Sequence, residues 1–153
     1  MGALSDQIRN DLTQAMRDRD ELKLSTMRML KTAIAKAEVA GTEAVELDDD
    51  AILALLATEM RKRNEAADMY AEGGRTELAA KERAEAAIIA QYLPAALSDS
   101  ELAAIVDEEV ANATAAGMSG GKAMGAVVKA VRERVGQQAD GARIAAVVKA
   151  ALN

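Results

Sequence analysis

The chain has 153 residues, enough for one ordinary domain or two small ones, and half of them are hydrophobic. It carries 19 basic and 25 acidic side chains, net −6, so the molecule as a whole does not have the charge of a nucleic-acid binder. With no cysteine and no histidine, disulfides, thiolate nucleophiles, zinc–thiolate sites and imidazole acid–base chemistry are all excluded.

Thirty-six of the residues are alanine, and the aromatic ones are Tyr70 and Tyr92 alone. Strong helix formers therefore dominate, and the composition points to an all-α protein with slim, closely approached cores. Apolar residues recur three and four apart nearly everywhere, and no stretch alternates as a strand does. Leu4, Ile8 and Leu12, with Ala15 or Met16, predict a first helix ending near Asp18–Asp20. Leu24, Met27, Leu30, Ile34 and Ala37 predict a second, closed by Gly41. The acidic loop "GTEAVELDDD" leads into a third helix, which Asp48 or Asp49 would cap. That loop has neither the glycine nor the later glutamate of an EF-hand, so calcium is not expected there.

The third helix carries Ile52, Leu56, Met60, Ala67 and Tyr70 on one stripe and stops at Gly73–Gly74. A fourth runs from Thr76 to about Tyr92, where Pro94 biases the preceding residue out of helix. Ser98 stands three residues before Glu101, the spacing of a capping box, and opens a fifth helix with Leu102, Ile105, Val106 and Val110 inward. Residues 94–98 are thus the predicted boundary between a four-helix domain (1–94) and a three-helix domain (95–153). The sixth helix has Met124, Val127, Val128, Val131 and Val135 on its apolar face. Gly136 follows it, and Asp140 can cap a seventh with Ile144, Val147, Val148 and Leu152 inward. No apolar run approaches the roughly 20 residues of a membrane span, and no signal peptide is evident. A cytoplasmic location is expected.

Charge is unevenly distributed. Residues 1–117 hold 13 basic and 23 acidic side chains, whereas residues 118–153 hold six basic and two acidic ones, net +4. The six are Lys122, Lys129, Arg132, Arg134, Arg143 and Lys149. The segment opens with "MSGGKAMG", in which Gly121–Lys122 has the look of a phosphate loop. A Walker motif would need glycine at 116 and a hydroxyl residue at 123, and both positions are alanine. Nucleotide hydrolysis is therefore not expected. Two readings remain: a solvated corner between helices, or a stripe of Lys122, Lys129 and Arg132 that touches phosphates while Gly125 leaves room for a nucleic-acid backbone. Without aromatic platforms in this segment, a folded RNA suits it better than a single strand.

"LKLSTMRMLKTAIAKAE" (22–38), "KRNEAADMYAEGGRTELAAKERAEAAIIAQYLPAALSDSEL" (62–102), and "KAMGAVVKAV" with "ADG" in the tail together resemble the YqeY (GatB/YqeY) family across essentially the whole chain. The chain departs from the family pattern in two places, Ala95-Ala96 after Leu93-Pro94 and Val128 in the sixth helix. The resemblance implies four N-terminal and three C-terminal helices. It also implies kinship with the tail domain of the B subunit of the glutamine-dependent tRNA amidotransferase, which contacts tRNA. Carried onto this chain, the RNA-facing positions would be Lys122, Gly125, Lys129 and Gly141, extended by Arg132 and Arg143. The family label of carbon–nitrogen ligase with glutamine as amido donor is expected to belong to the larger enzyme. In this chain no catalytic residue, metal ligand or cofactor is expected. The implied partners are tRNA or another folded RNA and a translation-related protein. A protein–protein adaptor using the N-terminal helices is the alternative.

Arg63 interrupts the apolar stripe of the third helix, and Glu82 and Glu85 fall on the inward line of the fourth. Arg63, Arg75, Glu82 and Glu85 could form a catalytic or ligand centre. The favoured expectation is structural, with Arg63 paired to a fourth-helix glutamate to fix the register of two helices. Arg28, Thr32 and Lys36 line one face of the second helix, as a basic path or as plain solvated surface.

Overall fold

A computed structural model describes residues 2–153. It contains α1 (Ala3–Asp18), α2 (Glu21–Glu38), α3 (Asp49–Glu72), α4 (Thr76–Ala90), α5 (Asp99–Ala115), α6 (Gly120–Val135) and α7 (Gly141–Leu152). A 3-10 turn, Gly136–Gln138, precedes α7, and there is no strand among the described residues. The chain divides into two compact units, Met1–Leu93 and Pro94–Asn153, each with its own apolar core.

In the N-terminal unit the core is built from Ile8 of α1, Met27 and Leu30 of α2, Ile52 and Leu56 of α3, and Ile89 of α4. Ala15 is the buried residue at the end of α1, while Met16 is half exposed. Side-chain caps start two helices: Asp20 accepts from the Lys23 amide at 3.1 Å and Asp48 from the Ala51 amide at 2.8 Å. Gly2 gives α1 no such cap. Asp49 of α3 supplies the acceptor instead, taking the Leu4 amide at 3.2 Å. Tyr92, just beyond α4, donates its hydroxyl to Asp11 of α1 and approaches the Met27 sulfur at 3.5 Å.

Three helix ends share one solution. At Arg19, Gly74 and Gly117 the backbone turns left-handed, and the next amide reaches back to a carbonyl five residues earlier. This is the Schellman closure; at Arg19 it is made without glycine. The second helix stops earlier than Gly41. Its last residue is Glu38, whose carbonyl receives the Val45 amide and whose carboxylate receives the Leu47 amide. The fourth also ends early, at Ala90, and tightens into i→i−3 bonds through Leu93.

The C-terminal unit packs Leu102 and Val106 of α5, Val127, Val131 and Val135 of α6, and Ile144 and Val148 of α7. The capping box is formed: Ser98 Oγ accepts the Glu101 amide at 3.1 Å, and the Glu101 carboxylate accepts the Ser98 amide at 3.4 Å. Asp140 caps α7 through the Arg143 amide at 2.8 Å. The Leu97 amide donates to the Gln138 carbonyl at 2.9 Å and ties the entering segment to the turn before α7. Among the described residues, no helix is long and apolar enough to cross a membrane.

Candidate nucleic-acid interface

The sixth helix positions the basic stripe. At 100° per residue, Lys122, Gly125, Lys129 and Arg132 fall within about 80° of one another. They lie roughly opposite the buried line of Ala123, Val127, Val131 and Val135. All four are exposed, and the stripe runs about 15 Å along the axis. Among the described residues, Lys122, Lys129 and Arg132 form no ion pair.

Gly125 sits in the middle of this face. A Cβ there would meet nothing within 4 Å, so no packing within the unit calls for glycine. What its absence of side chain exposes is helix backbone between two lysines. At the end of the stripe the Arg132 guanidinium lies over Gly141, where a Cβ would collide with it. The first turn of α7 thereby joins the face. The α6 N-terminus is uncapped by any side chain, since Ser119 makes no such bond. Its free amides add positive potential beside Lys122.

Not every cation predicted from the sequence is available. Arg143 donates to Asp99 of α5 at 2.7 Å. Arg134 is held by Glu108 at 2.7 Å and Glu109 at 3.1 Å, hydrogen bonds that raise its already high pKa. Lys149 was not singled out from the sequence. It forms no ion pair among the described residues and, with Gly120, Gly121, Met124 and Leu152, lines a cavity of about 470 Å³ at the start of α6. Only the fold brings the end of α7 to the start of α6, so no sequence spacing could have signalled it.

The charges of the N-terminal unit are arranged differently. Arg63 is buried and bridges two carboxylates: its Nε lies 3.3 Å from Glu85 of α4, and its Nη1 lies 2.9 Å from Glu59. Burial pushes the Glu59 carboxyl up, but the Arg63 hydrogen bond and the charges of Lys62 and Arg63 together hold it below the ordinary 4.5. Glu82 is half-buried and forms no ion pair among the described residues, and Arg75 is exposed at the N-cap position of α4, also unpaired. The arginine–carboxylate cluster is thus Glu59–Arg63–Glu85. Glu59 escaped sequence reasoning although it stands one helical turn before Arg63, a spacing that places such pairs together. No group of three or more carboxylates among the described residues could hold a metal ion.

The architecture defines a class, an all-α protein of a four-helix and a three-helix unit, the second bearing an unpaired cationic helix face. Within that class the chain belongs to the YqeY-like family, whose model, described as Yqey-like protein, matches residues 5–152. No curated protein matches the chain.

Proposed function

We propose that the protein is a non-catalytic accessory that binds folded RNA, of the tRNA class, through the C-terminal unit. The observation that carries this reading is the α6 face: Lys122, Lys129 and Arg132, unpaired among the described residues, around a glycine that no packing requires. Cations in one line neutralise successive phosphates and release counterions without reading bases. Bare backbone at Gly125 lets a sugar–phosphate strand approach more closely than any other residue would permit. The family resemblance to a tRNA-contacting tail domain supports the same positions. Gly141 belongs to the face through Arg132, whereas Arg143 has its charge engaged by Asp99 and contributes less.

Filter binding of tRNA by the wild type and by Lys122→Glu/Lys129→Glu tests the proposal. The expected result is a loss of at least about tenfold, a free-energy change of roughly 1.4 kcal/mol. Equal affinity of the two proteins would overturn it. A stable protein partner recovered without RNA would favour the adaptor reading instead.

A further inference from the structure

A second concentration of positive charge lies in the N-terminal unit, where composition gives no reason to expect one. Residues 1–93 contain 13 basic and 18 acidic side chains, net −5. Yet the groove between α2 and α3, about 580 Å³, is lined by Arg28, Lys36, Lys62 and Arg63 against a single acid, Glu59. Glu85 stands behind Arg63, and with it counted the site still carries two surplus positive charges. Arg28 and Lys36 form no ion pair among the described residues, and Lys62 has only the Glu59 that it shares with Arg63. Arg28 and Lys36 are two helical turns apart, about 12 Å along α2.

Arg63 is poorly satisfied for a buried guanidinium. Its side chain is 10 % exposed. Nη1 is well used, donating to the Glu59 carbonyl at 3.0 Å and its carboxylate at 2.9 Å. Nε is buried with no hydrogen-bond partner among the described residues, despite the nearby Glu85. Among the described residues, Nη2 has only the sulfur of Met29, at 3.7 Å. A thioether is a weak acceptor, and a guanidinium has five N–H groups suited to oxygen. Met29 is itself a wall of the groove and 41 % exposed, so the underused donor is at the groove and not in the core. Met29, Ala33 and Leu55 add an apolar floor beside the cations.

We infer that the α2–α3 groove binds a small phosphorylated molecule: phosphate oxygens take the Arg63 donor now given to Met29, Arg28, Lys36 and Lys62 neutralise them, and the remainder lies on the apolar floor. The volume is that of small-ligand sites. Size follows from electrostatics. Screening confines attraction to about 10 Å at 0.1 M salt, so a compact anion meets the four local cations, whereas an extended polyanion also meets the rest of a unit whose net charge is −5. The groove belongs to the N-terminal unit and the α6 face to the C-terminal one, and the inference does not rest on the RNA reading.

Titration of the ¹⁵N-labelled full chain with inorganic pyrophosphate, followed by amide shifts, tests the inference. Saturable shifts are expected at residues 28–36 and 55–63. Arg28→Glu/Lys36→Glu should weaken binding at least about tenfold, with unchanged far-ultraviolet circular dichroism; Arg28→Gln/Lys36→Gln serves should the reversal disturb folding. Lys122→Glu/Lys129→Glu should leave pyrophosphate binding unaltered whether or not it affects tRNA. Shifts that do not saturate, that centre on α6, or that persist in both groove variants would overturn the inference. So would a groove variant that loses tRNA affinity while the wild type shows no response to pyrophosphate, since the groove would then belong to an RNA surface.

Discussion

Arg63 shows how one residue fixes an arrangement. A guanidinium placed between a carboxylate of its own helix and one of the next leaves α3 and α4 little freedom to slide, because either displacement strands a buried charge. Arg63→Met should destabilise the N-terminal unit by about 3–5 kcal/mol, read from urea denaturation, and Arg63→Met/Glu85→Met should recover most of the loss. The pairing of Arg63 with a fourth-helix glutamate was legible because Arg63 and the inward glutamates interrupt apolar stripes. Sequence alone left Glu82 and Glu85 both open, because a 60° difference on a helix cannot be resolved before the neighbouring helix is placed; the structure selects Glu85. Tyr92 gives a second test. Burial, with the hydrogen bond and negative charge of Asp11, pushes its hydroxyl pKa well above the ordinary 10. Above pH 10 the unfolded chain therefore ionises this group while the folded chain keeps it protonated. Its contribution is fully present below pH 10 and is lost as pH rises beyond it. The melting temperatures of wild type and Tyr92→Phe should differ at pH 8 and converge above pH 10.

At the scale of elements, seven helices and their inward faces could be read from three- and four-residue periodicity, since burial of one stripe is what stabilises each of them. The ends were harder. Asp48 and Ser98 caps are local chemistry and were readable, whereas Glu38 ends α2 because its carbonyl and carboxylate are taken by residues of the following loop. Nothing at Gly41 could announce that. The sixth helix offers a test in which stability and binding move in opposite directions. Gly125→Ala should stabilise the protein by about 0.5–1 kcal/mol in thermal or urea unfolding, because the new methyl meets only solvent and alanine is the better helix former. On the proposed RNA face the same methyl stands where backbone must approach, and tRNA affinity should fall.

For the whole molecule, net charge alone misleads, and so does the charge of a sequence segment. The surplus of residues 118–153 is reduced once Arg134 and Arg143 meet α5, and a new cationic site emerges in the acidic N-terminal unit where α2 and α3 lie side by side. Linear order could show the first concentration of charge but not the second, whose members are 26 or more residues apart between helices. If the α6 face holds about three phosphates, the logarithm of tRNA affinity should fall with the logarithm of salt with a slope of about −2 to −3, and Lys122→Ala/Lys129→Ala should remove most of that dependence.

The clasp of Glu108 and Glu109 on Arg134 has a kinetic consequence. The C-terminal unit has six basic and seven acidic side chains, so its own net charge of −1 adds little to the −5 of the N-terminal unit in the far field. On the proposed RNA reading, the acids along α5 and the lysines on α6 would turn an incoming strand before anything touches. Pre-alignment of this kind raises the fraction of collisions that succeed and leaves residence time to the contacts made afterwards.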